Sequence, residues 1–192
     1  MNLSLILLGA GTGSRMGGGK LMREVEGKPM GLHALELFAG LPFARRIYVT
    51  CPDQDALREK AGELGYSVVI NRAPERGIAS SIMLGMQILV MQGGLLDTGV
   101  LFAVSDQPYL TEGSVRRLMD AFAAADDRIC ALSAGGETGN PVIFPGSLFT
   151  ELMKLKGDTG GRQVMRAHPE MILPVEAADA KELKDIDTEE DL

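Results

Sequence analysis

Residues 3–8, LSLILL, form an apolar run that stops abruptly at a glycine cluster, Gly9, Gly11 and Gly13. A run this short, closed by glycines, reads as a β-strand buried on both faces. Such a strand needs helices above and below it, and the rest of the chain supplies them. Segments 46–50, 66–70, 99–104 and 128–133 are short and rich in Val, Ile and aromatic residues, as strands are. Between them, 32–39, 54–64, 80–91 and 112–125 carry apolar residues at a spacing near 3.6 and are predicted as helices. This alternation predicts a three-layer α/β/α, Rossmann-like fold with a mainly parallel sheet, whose ligands sit beyond the carboxyl ends of the strands. After Ser133 the alternation breaks down. A strand at 141–144, a helix at 147–155 and a glycine-rich segment at 157–161 are expected to shape a substrate pocket. The 192 residues are read as one domain spanning 1–192, with Ile186 and Leu192 as anchors for the acidic terminal run.

The net charge of -7 removes the basic surface with which nucleic-acid binders displace counterions, so any phosphate must be met locally. No apolar stretch approaches the roughly 18 residues that span a bilayer. Residues 1–8 lack a basic leader and a cleavage site, and a cytoplasmic protein without membrane or nucleic-acid partners is expected. Cys51 and Cys130 form no metal or disulfide pattern and read as buried fillers. Met83, Met86 and Met91 share one predicted helix and read as core. With only His33 and His168 as imidazoles, zinc or iron lacks ligands, and a metal here is expected to be magnesium on carboxylates.

The segment 8–20, LGAGTGSRMGGGK, places six glycines and two cations in thirteen residues directly after a strand. Glycines let backbone N–H groups converge on an anion, while Arg15 offers a planar fork and Lys20 a point charge, a combination suited to a polyphosphate. Two common phosphate motifs fail. Counting back from Lys20, the first Walker glycine position holds Ser14, and Leu21 follows the lysine; a GxGxxG read from Gly11 ends on Met16. A merely flexible turn would explain the glycines but not the interleaved cations.

The loop resembles the LxAGxGSRMGxxK signature of the nucleotidyltransferase superfamily, and within it the molybdenum-cofactor nucleotidyltransferases, the MobA-like group. Further landmarks extend the resemblance over nearly the whole chain: Gly77-Ile78-Ala79-Ser80-Ser81-Ile82, Ser105-Asp106-Gln107-Pro108, Gly139-Asn140-Pro141, Gly157-Asp158-Thr159-Gly160 and Asp185-Ile186-Asp187-Thr188. The spacing from Arg15 to Lys20 and the Asp-Gln-Pro triplet resemble the cytidylyltransferase branch. That branch usually reads AAG where this chain has Gly9-Ala10-Gly11. The resemblance implies transfer of CMP from CTP to a molybdopterin-type acceptor with release of pyrophosphate, the product then passing to a recipient molybdoenzyme. GTP as donor, a sugar or alditol phosphate as acceptor, and a non-catalytic molybdopterin delivery protein stay open as alternatives.

Within this resemblance Arg15 and Lys20 hold the triphosphate, and Gly9, Ala10, Gly11 and Gly13 bring backbone close to it. Asp106 follows a buried strand, so its carboxylate is expected at the ligand-binding edge as an oxygen ligand for Mg2+, though aspartate beside proline is also common in turns. Asp187 resembles the second metal carboxylate, with Asp185 two residues away as the other candidate. Gly77, Ser80 and Ser81 are placed in the nucleotide site, although Ser80 also suits a helix N-cap. Asn140 is expected to read a pterin edge and Arg162 its phosphate, while Asp158 has an alternative as cap of a helix starting near Gly161.

Overall fold

The computed structural model describes residues 2–11 and 19–186, so Gly13, Arg15 and Asp187 lie outside the described residues. In chain order the elements are β1 (Leu3–Leu8), the two short strands β2 (Glu24–Val25) and β3 (Lys28–Pro29), α1 (Met30–Ala39), β4 (Arg45–Thr50), α2 (Asp55–Glu63) and β5 (Ser67–Ile70). Then come α3 (Ile78–Met91), β6 (Gly99–Val104), α4 (Glu112–Ala124), β7 (Ile129–Ala134), β8 (Glu137–Pro145), α5 (Phe149–Leu152), α6 (Gly161–Ala167) and β9 (Ile172–Glu176). Among the described residues the main sheet runs β5-β4-β1-β6-β8-β7-β9, and β2 pairs with β3 apart from it. Every pairing in the main sheet is parallel except those of β8, which runs antiparallel to both β6 and β7.

Alternation along β1 explains the three layers. Leu3, Leu5 and Leu7 pack on one face with Leu35 and Phe38 of α1, Leu57 of α2 and Leu118 of α4. Ile6 points the other way, into Ile82 and Met86 of α3, Phe149 and Leu152 of α5 and Val164 of α6. Each such buried side chain contributes roughly 1.5–3 kcal/mol by leaving water, which fixes the register of the central strand. Ser4, the polar exception in β1, is buried because its Oγ donates to Asp97, whose carboxylate also takes Arg45 Nη1 at 2.6 and 2.8 Å. That network ties the amino ends of β1 and β4, at the far side of the sheet from the strand exits.

The predicted strands from 3–8 to 128–133 and the four predicted helices from 32–39 to 112–125 agree with these elements to within two residues at each end, whereas the strand predicted at 141–144 is the end of the longer β8, and β2 and β3 are additional. The later half holds the differences. Residues 147–155 form mixed turns, a 3-10 turn at Gly146–Leu148, α5, and i to i−3 bonds out to Leu155, in place of one continuous helix. Strand β9 is not among the predicted elements, because Pro174 interrupts its apolar pattern; the proline is tolerated because β9 is an edge strand. Of the three methionines expected in the core only Met86 is buried, whereas Met83 and Met91 face solvent, because α3 buries a single stripe of its surface. Cys130 is buried, which pushes its thiol up to about 11, and Cys51 is half-buried. Among the described residues no helix is long and apolar enough to cross a membrane.

Glycine substitutions in β1's exit separate packing from mere flexibility. A Cβ on Gly9 falls 2.5 Å from Tyr48 Oη and 2.6 Å from its ring, whereas one on Gly11 meets nothing within 4 Å among the described residues. Gly9→Ala is expected to cost about 1–3 kcal/mol through overpacking. Gly11→Ala should stay within about 0.5 kcal/mol, and urea denaturation midpoints of the two variants check the contrast.

Candidate active site

The strand order reverses direction at β1, so the carboxyl ends of β1, β4 and β6 open the crevice in which α/β sheets bind ligands. The start of the glycine-rich loop is held there by backbone and side-chain bonds together. Gly9 N–H donates to Val49 O at 2.7 Å, and Ser105 N–H donates to Leu8 O at 3.0 Å. Gln54 Nε2 donates to Gly9 O at 2.9 Å, while its Oε1 accepts from Thr50 Oγ1 at 2.6 Å and Tyr48 Oη at 3.2 Å. A carbonyl can only accept, so the orientation of the Gln54 amide is set by Gly9. Tyr48 is fully buried, which pushes its phenol up to about 12 and keeps it a donor. The same ring fills the space where a methyl at position 9 would sit, which accounts for glycine where the resembled branch carries alanine.

At the other end of the loop, Lys20 opens a 3-10 turn after Gly19, whose φ of 66° is left-handed. Its Nζ donates to Asp106 Oδ2 at 2.7 Å, in an ion pair whose side chains are only 11% and 25% exposed. Partial burial strengthens that attraction relative to a surface pair, although desolvation opposes it. Asp106 stands two residues beyond β6, as its place after the apolar strand predicts. The C-terminal segment lies against the same loop. Ile186 N–H donates to Asp106 O at 3.1 Å, Gln107 Nε2 donates to Leu183 O at 3.2 Å, and Lys181 Nζ sits 3.5 Å from the Tyr109 ring centroid. Ile186 is fully buried, as an anchor should be.

Glu182 fastens this segment. One carboxylate oxygen accepts from Ser114 Oγ at 2.9 Å and Asp179 N–H at 3.1 Å; the other accepts from Thr111 N–H at 3.0 Å and Thr111 Oγ1 at 2.8 Å. Burial by itself would raise its pKa, but these four bonds outweigh it and hold the carboxyl below its ordinary value.

On the opposite rim, α3 starts at Ile78, so Ser80 lies in its first turn and is not the N-cap. Gly77 caps the helix with φ 87°, and a Cβ there would overlap the backbone of Gly157 and Asp158; Ala79 N–H donates to Gly157 O at 3.2 Å. Two loops eighty residues apart in sequence are thereby pressed together. Asp158 does not cap α6, whose N-cap is Gly160 without a side-chain bond.

Two adjoining cavities result. The smaller, about 280 Å³, is lined by Ala10, Gly11, Gly77, Ser81 and Asp106. The larger, about 460 Å³, is lined by Asn140, Arg162, Arg166 and Asp185 over an apolar floor that includes Phe102 and Phe144. Leu8, Ile78, Val104 and Asp158 border both. The candidate residues Ala10, Gly11, Lys20, Gly77, Ser81 and Asp106 therefore gather around one cavity or its rim, and Asn140 and Arg162 around its neighbour. Gly9 is buried against the Tyr48 ring, where it shapes rather than lines the site. Ser80 is turned back on its own helix, donating from Oγ to Gly77 O at 2.7 Å. Reasoning from sequence missed Gln54, Asn71 and Glu182, which act through buried hydrogen bonds that no local motif announces. Arg166 was legible, one helical turn from Arg162 on the same face.

Among the described residues no three His, Cys, Asp or Glu side chains gather closely enough to hold a metal by themselves. Asp106 nevertheless presents an oxygen that already holds a cation, Lys20 Nζ. A small divalent ion shared between one or two carboxylates and substrate phosphates fits that donor set.

The MobA-like NTP transferase domain family matches residues 5–172. The purine catabolism protein PucB of Bacillus subtilis (strain 168) is 26% identical over 194 residues, covering 97% of this chain and 92% of that protein. Rv0371c from Mycobacterium tuberculosis H37Rv superposes with a TM-score of 0.80 at 23% identity over 100% of this chain and 96% of that one. A structure of Rv0371c in complex with manganese gives 0.74 at 20% identity, over 100% and 96%. The 4-diphosphocytidyl-2C-methyl-D-erythritol synthase of Anaerococcus prevotii DSM 20548 gives 0.73 at 18% identity, over 99% and 92%. These structural likenesses establish an α/β nucleotidyltransferase fold.

Glu182→Gln tests the fastening of the C-terminal segment. Backbone N–H groups of Thr111 and Asp179 each need an acceptor, one on either oxygen, so an amide must turn its NH2 toward one of them. A loss of roughly 1–3 kcal/mol is expected at pH 7. Because the folded pKa is lowered, the stabilisation is complete above the ordinary value of 4.5 and fades as pH falls through the folded value. Thermal melts of wild type and variant should accordingly converge in acid.

Proposed function

The chain belongs to the MobA-like NTP transferase family, and from that premise we propose that it transfers CMP from CTP to the phosphate of a molybdopterin-type acceptor. The observation that supports this reading is the meeting of two cavities along Leu8, Val104 and Asp158, one beside the glycine-rich loop and one beneath two arginines. A triphosphate in the first and a phosphate-bearing acceptor in the second bring attacking oxygen and α-phosphorus within reach. The new P–O bond forms as the bond to the β-phosphate oxygen breaks, and pyrophosphate leaves.

Positioning and charge neutralisation carry such a reaction. Arg15 and Lys20 hold the triphosphate, with backbone from Ala10, Gly11 and Gly13 close to it and Gly9, buried against Tyr48, shaping the start of the loop. Asp106 and Asp187, the latter next in sequence to the anchored Ile186, would hold a Mg2+ ion, with Asp185 on the larger cavity as the other candidate. The ion supplies Lewis-acid neutralisation of the reacting phosphates. Lys20, paired with Asp106 in the structure, is within reach of a triphosphate bound in the smaller cavity, and a cation on Asp106 would keep that carboxylate from being left buried without a partner. Gly77 and Ser81 form the nucleoside side of the site, while Ser80, expected there from the sequence, stays bonded to Gly77 O.

Asn140, Arg162 and Arg166 face the acceptor. The aromatic floor of that cavity favours a planar ring carrying a phosphate over a small polyol phosphate of the kind named in the erythritol synthase. CTP is preferred to GTP on the Arg15 to Lys20 spacing and the Asp-Gln-Pro triplet.

Calorimetric titration of CTP, GTP, ATP and UTP with Mg2+ tests the reading. CTP is expected to bind most tightly, and Asp106→Ala to lose at least tenfold in the metal-dependent part of that affinity. Molybdopterin added to the CTP complex should then release pyrophosphate. A preference for GTP moves the protein to the guanylyl branch, binding of molybdopterin without turnover makes it a delivery protein, and absence of any triphosphate binding refutes the nucleotidyl-transfer reading.

A further inference from the structure

Asn71 follows β5, is 2% exposed, and belongs to none of the motifs that mark the site. Its side chain nevertheless reaches the first turn of α3. Ala73 N–H donates to Asn71 Oδ1 at 2.9 Å, and a backbone N–H can only donate, so the amide cannot be turned the other way. Asn71 Nδ2 therefore faces the two serines, donating to Ser80 Oγ at 2.9 Å and to Ser81 Oγ at 2.9 Å. Both hydroxyls must receive these bonds on a lone pair.

The fate of the two hydroxyl protons differs. Ser80 sends its proton to Gly77 O at 2.7 Å, a carbonyl that also takes Ser80 N–H at 3.0 Å. Helical serines commonly donate to a carbonyl three or four residues back, but Ser81 makes no such bond to Ile78 O or to the already crowded Gly77 O. Among the described residues the Ser81 hydroxyl has no acceptor for its proton, although the side chain is buried and lines the smaller cavity beside Ala10, Gly11 and Pro74. A buried hydroxyl proton without an acceptor is costly unless a ligand supplies one.

We infer that Asn71 is a positioning residue that fixes the Ser81 hydroxyl as a hydrogen-bond donor to an acceptor atom on the nucleobase. This rests on the nucleotidyltransferase reading above and deepens it. Apart from the carboxylates Asp106 and Asp158, the cavity around Ser81 is lined by apolar and glycine residues that suit a planar, neutral base, and a site that offers a fixed donor discriminates against bases that present a donor there. Neither Lys20 nor Arg15 can supply that selectivity, since every nucleotide carries the same phosphates.

The test compares affinities for CTP and for inorganic tripolyphosphate, both with Mg2+, in wild type, Ser81→Ala, Asn71→Asp and the double variant. The ratio of the two affinities is the readout, because a charge effect of the new carboxylate acts on both ligands. Ser81→Ala is expected to lower the ratio about tenfold. Asn71→Asp should lower it at least as far, because a carboxylate only accepts and draws the Ser81 proton inward. The double variant should lose no more than Asn71→Asp alone. A ratio unchanged in Ser81→Ala overturns the inference even if Asn71→Asp fails to fold, and so do losses that add in the double variant. A loss that disappears with 2′,3′-dideoxy-CTP overturns the assignment to the base. If wild type binds CTP no better than tripolyphosphate, the inference falls, and if it binds no nucleoside triphosphate at all, the nucleotidyl-transfer reading falls with it. Discrimination in wild type that survives in every variant removes the inference alone.

Discussion

Gly9 leaves the central strand with its N–H on Val49, its carbonyl on the Gln54 amide, and the Tyr48 ring where a side chain would otherwise be. The direction in which the glycine-rich loop departs is set at this one residue, and everything that surrounds the smaller cavity is arranged relative to that departure. Tyr48, Thr50 and Gln54 come from β4 and the start of α2, so the strand beside β1 aims the loop through side chains as well as through the sheet. A hydrogen-bond network of this kind is rigid only when all its members are satisfied, as these are at Gln54.

The second dependency is the contact between the loops at Gly77 and Gly157. Helix α3 belongs to the regular first half of the fold, and residues 157–161 to the irregular second half. Their backbones touch only because position 77 has no Cβ, and that contact makes the two cavities neighbours. The C-terminal segment supplies a third side. Glu182 collects four donors from α4's start and from its own turn, and the chain beyond it reaches Asp106 through Ile186 N–H. The rim at Gly77, the rim at Gly157 and the side at Asp106 are thus held by different parts of the chain, each through a polar contact.

Polarity of hydrogen bonds adds information that distances alone lack. At Gln54 and Asn71 a backbone group of fixed sense, Gly9 O in one case and Ala73 N–H in the other, dictates how the amide is turned. The amide then dictates the hydroxyls behind it. A chemically plain loop edge acquires a defined donor at Ser81 in this way, beside an ion pair at Lys20 and Asp106 that already shows the carboxylate receiving a cation.

Sequence alone determined the layered α/β architecture, because apolar runs of strand length and stripes of helical period leave few ways to bury the central strand on both faces. It also determined the placement of Asp106 at a strand exit, which follows from local order along the chain. Tertiary structure decided what no local pattern encodes: that Pro174 sits in an edge strand, that Ser80 turns back on its helix while Ser81 faces the cavity, and that Tyr48 rather than loop flexibility calls for glycine at position 9. It also decided which distant segments meet, Gly77 with Gly157, Asn71 with Ser81, Glu182 with Thr111. Those contacts depend on close approach between residues far apart in sequence, and periodicity and motif spacing carry no record of such separations.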